Sequence, residues 1–211
     1  MIKILIADDH AIVREGLKQI LSETSDIVAA GEASNGQEVL KKVWENNYDM
    51  VLLDISMPGR SGLDILKQLK KEKPRLHILV LSMHPEEQYA IRVLKGGASG
   101  YLTKESTPHE LITAIRTVSK GRKYVSSSLA ERLACYLEIK PEEPLNVEVL
   151  SDREYEVLRM IASGKTVKEI AEELSLSIKT ISTYRTRILE KMGMKNNAQL
   201  IHYAIQNRLS D

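Results

Sequence analysis

The chain has few of the features that mark secreted, membrane-embedded or metal-cluster proteins. It contains one cysteine, Cys135, among 211 residues. A single cysteine excludes an intramolecular disulfide framework and a cysteine-ligated zinc site. No apolar stretch approaches the roughly 18 residues of a membrane-spanning helix, and the opening residues MIKILIADD lack the shape of a signal peptide. We therefore expect a cytoplasmic protein in a reducing compartment, with no membrane partner.

The chain also has little net charge and no obvious sequence repeats. The formal charge is +1, and this average neither indicates nor excludes nucleic acid or an acidic partner. The sequence contains no evident internal repeat or low-complexity tract. A hydrophobic content of 43% with 28% charged residues is typical of a soluble globular protein. The length allows two modest domains or one large domain.

Short apolar runs alternate with helix-period segments over the first 120 residues. The runs are continuous, as is typical of strands buried on both faces of a parallel sheet. We predict strands at Ile2–Ala7, Ile27–Gly31, Met50–Leu53, Ile78–Leu81 and Gly100–Leu102, and helices at Ile12–Leu21, Glu38–Glu45, Leu63–Lys71, Glu87–Leu94 and Pro108–Ser119. Five strand–helix units predict a flavodoxin-like (βα)5 domain, an α/β fold with one doubly wound parallel sheet.

The pattern changes after Gly121. A further helix is predicted over Tyr124–Leu137, and the following segment, with Pro141, Pro144 and four acidic residues, is typical of a linker. From Leu150 onward only helix signals remain, near residues 152–163, 167–174, 178–192 and 197–207. We predict an α/β domain over residues 1–121, a linker with a helix over 122–149, and an all-α four-helix domain over 150–211.

Three carboxylates follow predicted strands directly. Asp8 and Asp9 end the first apolar run, and Asp54 ends the third. If these strands are neighbours in a parallel sheet, their carboxyl ends meet in the crevice where open α/β sheets bind ligands. Three acids at that place repel one another unless a cation or a proton joins them. The pattern predicts a metal site, a shared-proton site, or both.

Two further polar residues follow predicted strands at the same edge, Ser82 and Lys104. A carboxylate such as Asp54 can take up a phosphoryl group as an acyl phosphate, a reaction that needs a divalent cation. Asp9, Asp54 and the backbone carbonyl of Ser56 would suit Mg²⁺, while a hydroxyl and an ammonium group could hold the phosphoryl oxygens. Any one of these residues alone is more often a helix cap or a solvated side chain.

The combination resembles the receiver domain of two-component response regulators over about residues 1–120. The matching residues are Asp8-Asp9, Asp54 with Met57-Pro58-Gly59, Ser82, and Gly97 through Lys104. The resemblance implies that Asp54 accepts phosphate from a sensor histidine kinase and that Asp8 and Asp9 organise Mg²⁺. It also implies that Ser82 and Lys104 contact the phosphoryl group and that Tyr101 is the switch aromatic, which changes rotamer with Ser82.

The C-terminal part is locally basic. Six basic residues and one acid lie between Ser175 and Arg208, a local charge of +5, which is typical of phosphate-binding helices although a solvated face is the common alternative. The helix-turn-helix pattern runs from Thr166 to Met192. On a helical wheel the apolar positions Ile178, Ile181, Ile188, Leu189 and Met192 should face the core, and Lys179, Ser182, Thr183, Thr186 and Glu190 should lie opposite. Arg187 flanks the polar face as a candidate phosphate contact, and Arg185 has no clear role.

The segments Leu150–Leu158, Lys168–Ala171 and Lys179–Ile181 resemble the LuxR-type helix-turn-helix. With a receiver, the chain resembles the NarL/FixJ subfamily of response regulators. The resemblance implies double-stranded DNA as a partner, with candidate contacts Lys179, Thr180, Ser182, Thr183, Thr186 and Arg187, and a homodimer formed through the last helix. Many members carry valine-lysine-x-histidine where this chain has Ile181 to Tyr184, so base preference does not transfer.

Three other classes of protein use parts of the same pattern. A phosphatase working through an aspartyl phosphate usually has a second acid two residues after the nucleophile, but position 56 is serine. A nucleotide-binding domain needs a glycine-rich phosphate cradle after the first strand, where this chain has Asp8-Asp9-His10-Ala11. A regulator that ignores phosphate would not need the full set of acids, serine and lysine. We therefore expect a phosphorylation-controlled transcription factor that binds specific DNA sequences, rather than a turnover enzyme.

Overall fold

The structure, a computed structural model, describes residues 1–57, 61–131, 146–207 and 209. The chain divides into two compact units, Met1–Glu138 and Ile139–Asp211. The predicted boundaries at residues 121 and 150 stay a prediction, because the middle of the predicted linker, residues 132–145, lies outside the described residues. Pro58, Gly59 and Arg208 also lie outside them. In the described part of the chain, no helix is long and apolar enough to cross a membrane.

A five-stranded parallel sheet forms the centre of the first unit. Its strands are β1 (Ile2–Ala7), β2 (Ile27–Ala33), β3 (Met50–Leu53), β4 (His77–Ser82) and β5 (Gly100–Thr103). They are ordered β2-β1-β3-β4-β5, and all neighbours are parallel. The predicted doubly wound sheet is therefore confirmed. The direction of winding reverses between β1 and β3, which places a ligand-binding crevice at their carboxyl ends.

Five helices connect and cover the strands: α1 (Ala11–Ser22), α2 (Gly36–Glu45), α3 (Gly62–Glu72), α4 (Glu86–Lys95) and α5 (Pro108–Ser119). Their bounds lie within two residues of the predicted ones. A capping box starts α5, because Thr107 and Glu110 satisfy each other's backbone amides.

The core forms two layers, because alternate strand residues point to opposite faces of the sheet. Ile4, Ile6, Leu52 and Leu79 pack with residues of α1 and α5. Since parallel crossovers are right-handed, α2, α3 and α4 lie on the other face. The sheet is thus buried on both sides, which explains why its strands are continuous apolar runs in the sequence.

A sixth helix, α6, begins at residue 127 and is described through residue 131. Ser126 caps it, because its hydroxyl accepts a hydrogen bond from the amide of Leu129 at 3.1 Å. The predicted start at Tyr124 was wrong. Tyr124 instead forms a parallel bridge with Gly100 at the start of β5, so its backbone extends the sheet rather than a helix. The remainder of the predicted helix lies outside the described residues.

The second unit is entirely helical in its described part. A 3₁₀ turn, Asn146–Val149, precedes α7 (Asp152–Ala162), α8 (Val167–Glu173), α9 (Ile178–Lys191) and α10 (Asn197–Gln206). Capping boxes start both α7 and α8. Buried apolar side chains join the four helices into one core: Val157, Leu158, Ile161, Ile170, Ile181, Ile188, Leu200 and Ala204.

A tight turn connects α8 to α9 and gives the helix-turn-helix its angle. Ser175 adopts a left-handed backbone conformation with φ of 52°, which reverses the chain after α8. Ser177 then starts α9, since its hydroxyl accepts a hydrogen bond from the amide of Thr180 at 3.0 Å.

Candidate functional site

The sheet brings the three predicted acids together at its carboxyl edge. Asp8 directly follows β1 and Asp54 directly follows β3, and these strands are neighbours. The amide of Asp54 donates to the carbonyl of Ala7 at 2.8 Å, which continues the ladder and fixes the strand ends at the same level. One carboxylate oxygen from each of Asp8, Asp9 and Asp54 lies within 4.8 Å of the others.

Lys104 joins two of these acids. Its Nζ atom lies 2.7 Å from Oδ2 of Asp54 and 2.7 Å from Oδ2 of Asp8, and its side chain is 8% exposed. The lysine reaches this position because its amide donates to the carbonyl of Ser82 at 2.8 Å, at the end of β4. Four strand ends therefore contribute to one small, mostly buried site.

Burial and neighbouring charges shift the pKa values of Asp54 and Lys104 in opposite directions. Burial raises the pKa of Asp54, and this effect exceeds the lowering by Lys104. Burial lowers the pKa of Lys104, but Asp54 and Asp8 together raise it above its usual range. Asp54 is thus an acid whose charged form is disfavoured by its surroundings. A further cation at the site would relieve that penalty.

Asp9 is oriented differently from Asp8. Both oxygens of Asp8 are engaged, Oδ2 by Lys104 and Oδ1 by the amide of His10 at 2.9 Å. Oδ1 of Asp9 is buried and has no hydrogen-bond partner; Nδ1 of His10 lies 3.0 Å away but is not aligned for one. A buried carboxylate oxygen without a partner, beside other carboxylates, fits Mg²⁺, which prefers such hard oxygen ligands.

The loops around Asp54 and Ser82 are also hydrogen-bonded to these side chains. The amide of Ser56 donates to Oδ1 of Asp54 at 2.9 Å, and the amide of His84 donates to the buried Oγ of Ser82 at 3.2 Å. Tyr101 is fully buried, and its hydroxyl donates to the carbonyl of His84 at 2.7 Å. The residues predicted as switch elements therefore meet in the β4–α4 loop, which starts at Ser82.

The second candidate site is the outer face of α9. Lys179, Ser182, Thr183, Thr186 and Arg187 are all exposed, as the helical wheel predicted. The hydroxyls of Thr183 and Thr186 donate to the carbonyls of Lys179 and Ser182, so their oxygens remain available as acceptors. Thr180 is half-buried, and its hydroxyl lies 2.7 Å from that of Ser177 at the start of the helix.

One expectation for α9 was wrong, and two of its basic residues have structural contacts. Ile178 was predicted in the core but is 55% exposed, because it is the first residue of the helix and precedes the packed turn. Lys191, counted in the basic stretch, forms an ion pair with Glu154 at 2.6 Å. Arg185 has a structural role: its Nε donates to Oδ1 of Asn197 at 2.5 Å and so ties α9 to α10.

Both units match known protein families. Residues 4–116 match the response regulator receiver domain, and residues 148–204 match the luxR family of bacterial regulatory proteins. The response regulator UvrY of Escherichia coli strain K12 is 38% identical over 210 residues, which cover 99% of this chain and 96% of UvrY. The chain is a response regulator.

Solved structures of another response regulator, RcsB, are also similar to this chain. One is RcsB from Salmonella enterica serovar Typhimurium bound to promoter rprA in the presence of phosphomimetic BeF3⁻, with 30% identity, a TM-score of 0.65, and coverage of 96% of this chain and 98% of RcsB. Another contains two RcsB dimers bound to two parallel DNAs, with 31% identity, a TM-score of 0.61 and coverage of 97% and 98%.

Sequence reasoning missed three residues around the receiver site. His10 completes the cluster of potential ligands, although its side chain is 64% exposed. Arg14 donates to the carbonyl of Asp8 at 2.8 Å. Glu86 accepts hydrogen bonds from Ser126 and Ser128. His10 could have been found by its adjacency to Asp9, whereas the contacts of Arg14 and Glu86 depend on the packing of distant segments.

Proposed function

We propose that this response regulator accepts a phosphoryl group on Asp54 from the phosphohistidine of a sensor kinase in the cytoplasm, and that phosphorylation controls its binding to double-stranded DNA. The observation that carries the proposal is the joint position of Asp54, Lys104 and Asp9. A buried nucleophilic carboxylate, a cation that can stay with its product, and an unpartnered carboxylate oxygen are the parts that phosphoryl transfer requires. We also propose the domain boundaries 1–121 and 150–211, with the linker at 122–149.

The chemical step is an in-line displacement. An oxygen of Asp54 attacks phosphorus, the bond from phosphorus to the imidazole nitrogen of the donor breaks, and its electron pair returns to that nitrogen. Asp9, Asp54 and the Ser56 carbonyl would hold Mg²⁺, with Asp8 in an organising role, and the ion would neutralise the charge on the phosphoryl oxygens. Lys104 is already within reach of Asp54 and would pair with the product. The chain acts as a substrate of this transfer and not as a turnover enzyme.

The signal would leave the site through the β4–α4 loop. Ser82 would contact the phosphoryl group, which would release the amide of His84, and Tyr101 is bonded to the carbonyl of the same residue. Two residues later, the carboxylate of Glu86 is bonded to the hydroxyls that begin α6. A shift of the loop would therefore move the start of the linker. The β4–α4 loop would then act as the two-state element that phosphorylation biases.

The output would be DNA recognition by α9, whose exposed N-terminal half is the part of a recognition helix that reaches base edges. Lys179 and Arg187 have no charged partner among the described residues and would contact phosphates. The similarity to RcsB bound to a promoter supports this assignment. A homodimer is proposed by similarity to the DNA-bound RcsB dimers and from α10, which exposes 59% of Ile205.

The test uses the full chain with an acyl-phosphate donor and Mg²⁺. Wild-type protein should become phosphorylated, as read by a phosphate-affinity gel shift, while Asp54→Asn should remain unlabelled. The DNA targets of the phosphorylated protein and of the variant are then compared by genome-wide capture. Labelling of the variant would overturn the assignment of Asp54, and equal capture by both proteins would overturn control by phosphate.

A further inference from the structure

Arg14 connects the acidic loop to the neighbouring strand. From the first half of α1, its Nη1 atom donates to the backbone carbonyl of Asp8 at 2.8 Å, and its Nε atom donates to Oε2 of Glu32 on β2 at 3.1 Å. The arginine side chain is only 17% exposed. The carbonyl that it holds belongs to the peptide between Asp8 and Asp9, so Arg14 contacts the segment that carries both acids.

Glu32 fixes Arg14 in turn. Its second oxygen, Oε1, accepts a hydrogen bond from Lys18 at 2.8 Å, and its backbone carbonyl accepts one from Lys42. Hydrogen bonds from Lys18 and Arg14 lower the pKa of the Glu32 carboxyl although burial raises it. Glu32 therefore stays ionised and holds the guanidinium group from the side opposite the Asp8 carbonyl.

Asp8 is held through its amide, its carboxylate and its backbone carbonyl. The amide of Asp8 donates to Ala33 at 3.1 Å, its carboxylate is engaged by Lys104 and His10, and its carbonyl is engaged by Arg14. The orientation of this peptide decides where the unpartnered Oδ1 of Asp9 points. A contact that fixes the peptide thus acts on the oxygen best placed for a cation.

We propose that Arg14, held by Glu32, is a positioning residue that sets the affinity of the receiver for Mg²⁺ by orienting the Asp8–Asp9 peptide. This inference rests on the proposed function, because it assigns Mg²⁺ to the acidic site. Arg14 does not bind the ion. Partners that orient metal ligands typically change metal affinity by about tenfold or more when removed.

The sign of the effect separates positioning from simple electrostatics. Removing a positive charge near a cation site reduces repulsion, so Coulomb's law alone predicts tighter Mg²⁺ binding in Arg14→Gln. Loss of positioning predicts weaker binding. Arg14→Lys adds a second distinction, since lysine keeps the charge but lacks the planar fork that reaches the carbonyl and the carboxylate together.

The experiment measures Mg²⁺ binding to the full chain by titration calorimetry, without any phosphodonor. We expect Arg14→Gln and Arg14→Lys to weaken binding by about tenfold, and Glu32→Gln by about threefold. Arg116→Gln is the matched control, because Arg116 also lies on a helix and pairs with a carboxylate, Asp26, but both are about half exposed on the same unit. The control should bind Mg²⁺ as the wild type does.

A second readout excludes general damage. The phosphorylation rate of the Arg14 variants should return to the wild-type value at saturating Mg²⁺, so that only the Mg²⁺ concentration for half-maximal rate changes. A dissociation constant equal to that of Arg116→Gln, tighter binding in Arg14→Gln, or a rate defect that persists at saturation would each overturn the inference. If Arg14→Gln does not fold, Arg14→Lys and Glu32→Gln decide. Failure of the wild type to bind Mg²⁺ would instead contradict the proposed function.

Discussion

The hydroxyl of Ser126 donates a hydrogen bond to the carboxylate of Glu86, a residue 40 positions earlier in the chain. Ser126 is the cap of α6, and Glu86 is the first residue of α4. The hydroxyl of Ser128 lies 3.3 Å from the same carboxylate oxygen. The carboxylate at the start of α4, directly after the β4–α4 loop, is therefore hydrogen-bonded to the segment that leads toward the second unit.

Glu86→Gln should uncouple DNA binding from phosphorylation. The variant should be phosphorylated at the wild-type rate, because the hydrogen bonds of Glu86 in the described part of the chain go to Ser126 and Ser128 and not to a site residue. The ratio of DNA dissociation constants without and with phosphate should move toward 1 by roughly fivefold, which corresponds to about 1 kcal/mol for a partly exposed hydrogen bond to a charged group. Fluorescence anisotropy with a captured DNA target measures both constants.

Glu131→Gln is the control for this change, since Glu131 is exposed on α6 and has no partner among the described residues. It should keep the wild-type ratio. A Glu86→Gln protein with an unaltered ratio would remove the role of the Ser126–Glu86 contact in signalling.

Asp54→Asn should raise the thermal stability of the protein. Burial raises the pKa of Asp54 above that of an unfolded chain, so the ionised carboxylate destabilises the fold, and stability is lost as pH rises through the folded-state pKa. The melting temperature of the variant should therefore exceed that of the wild type by a few degrees at neutral pH. The difference should shrink as pH falls below about 4, the unfolded-state pKa of an aspartate, because the Asp54 carboxyl of the wild type is then protonated in both the folded and the unfolded state. Scanning fluorimetry across that range measures it.

Added Mg²⁺ should narrow the gap between the two proteins, because a ligand that binds the folded wild type stabilises it. Asp64→Asn removes an exposed carboxylate from the first turn of α3 and should lower the melting temperature slightly. A wild type that melts above Asp54→Asn at neutral pH would contradict the account of the buried acid.

Lys179→Ala combined with Thr183→Ala should weaken DNA binding. Loss of the lysine removes one phosphate contact, so the slope of log affinity against log salt should fall by about 1, and loss of the threonine should relax base preference at one position. Gel shifts at several salt concentrations, with the target and a scrambled duplex, separate these effects. Lys120→Ala, an exposed lysine of the receiver, is the charge-matched control. An unchanged affinity in the double variant would eliminate the outer face of α9 as the reading surface.

Lys191→Met should destabilise the second unit without a direct effect on DNA contacts. The Glu154 side chain is 4% exposed and the Lys191 side chain is 41% exposed. Removal of the lysine therefore leaves a buried carboxylate that, among the described residues, is hydrogen-bonded only by Ser151. We expect a loss of about 2 kcal/mol, below the range for a fully buried pair. Urea denaturation measures this value, and DNA affinity well below the unfolding transition should stay close to that of the wild type.

The same ion pair predicts a pH dependence. Burial raises the pKa of Glu154, but the hydrogen bonds from Lys191 and Ser151 lower it by more. The pKa of this carboxyl therefore lies below its usual range. The stabilisation is therefore present above the unfolded-state pKa and is lost as pH falls through the folded-state pKa. The difference between wild type and Lys191→Met should disappear in acid. A difference that grows in acid would refute this assignment.

The strand ends at the receiver site were predictable because burial on both faces imposes continuous apolar runs, and polar residues directly after such runs must lie at the carboxyl edge. For this reason Asp8, Asp9, Asp54, Ser82 and Lys104 could be assigned to one edge. The helical wheel for α9 was wrong at Ile178, which it placed in the core. That residue is the first of the helix, next to the turn, and its side chain is exposed.

The sequence by itself determined the element order, the two kinds of domain and the polar residues that share a site, because local periodicity and strand-end chemistry depend only on neighbouring residues. The tertiary structure alone decided which polar and charged side chains form hydrogen bonds or ion pairs with one another. Four contacts join different elements of the fold: Arg14 with Asp8 and Glu32, Lys191 with Glu154, Arg185 with Asn197, and Ser126 with Glu86. Their partners are fixed by packing, which no local pattern encodes.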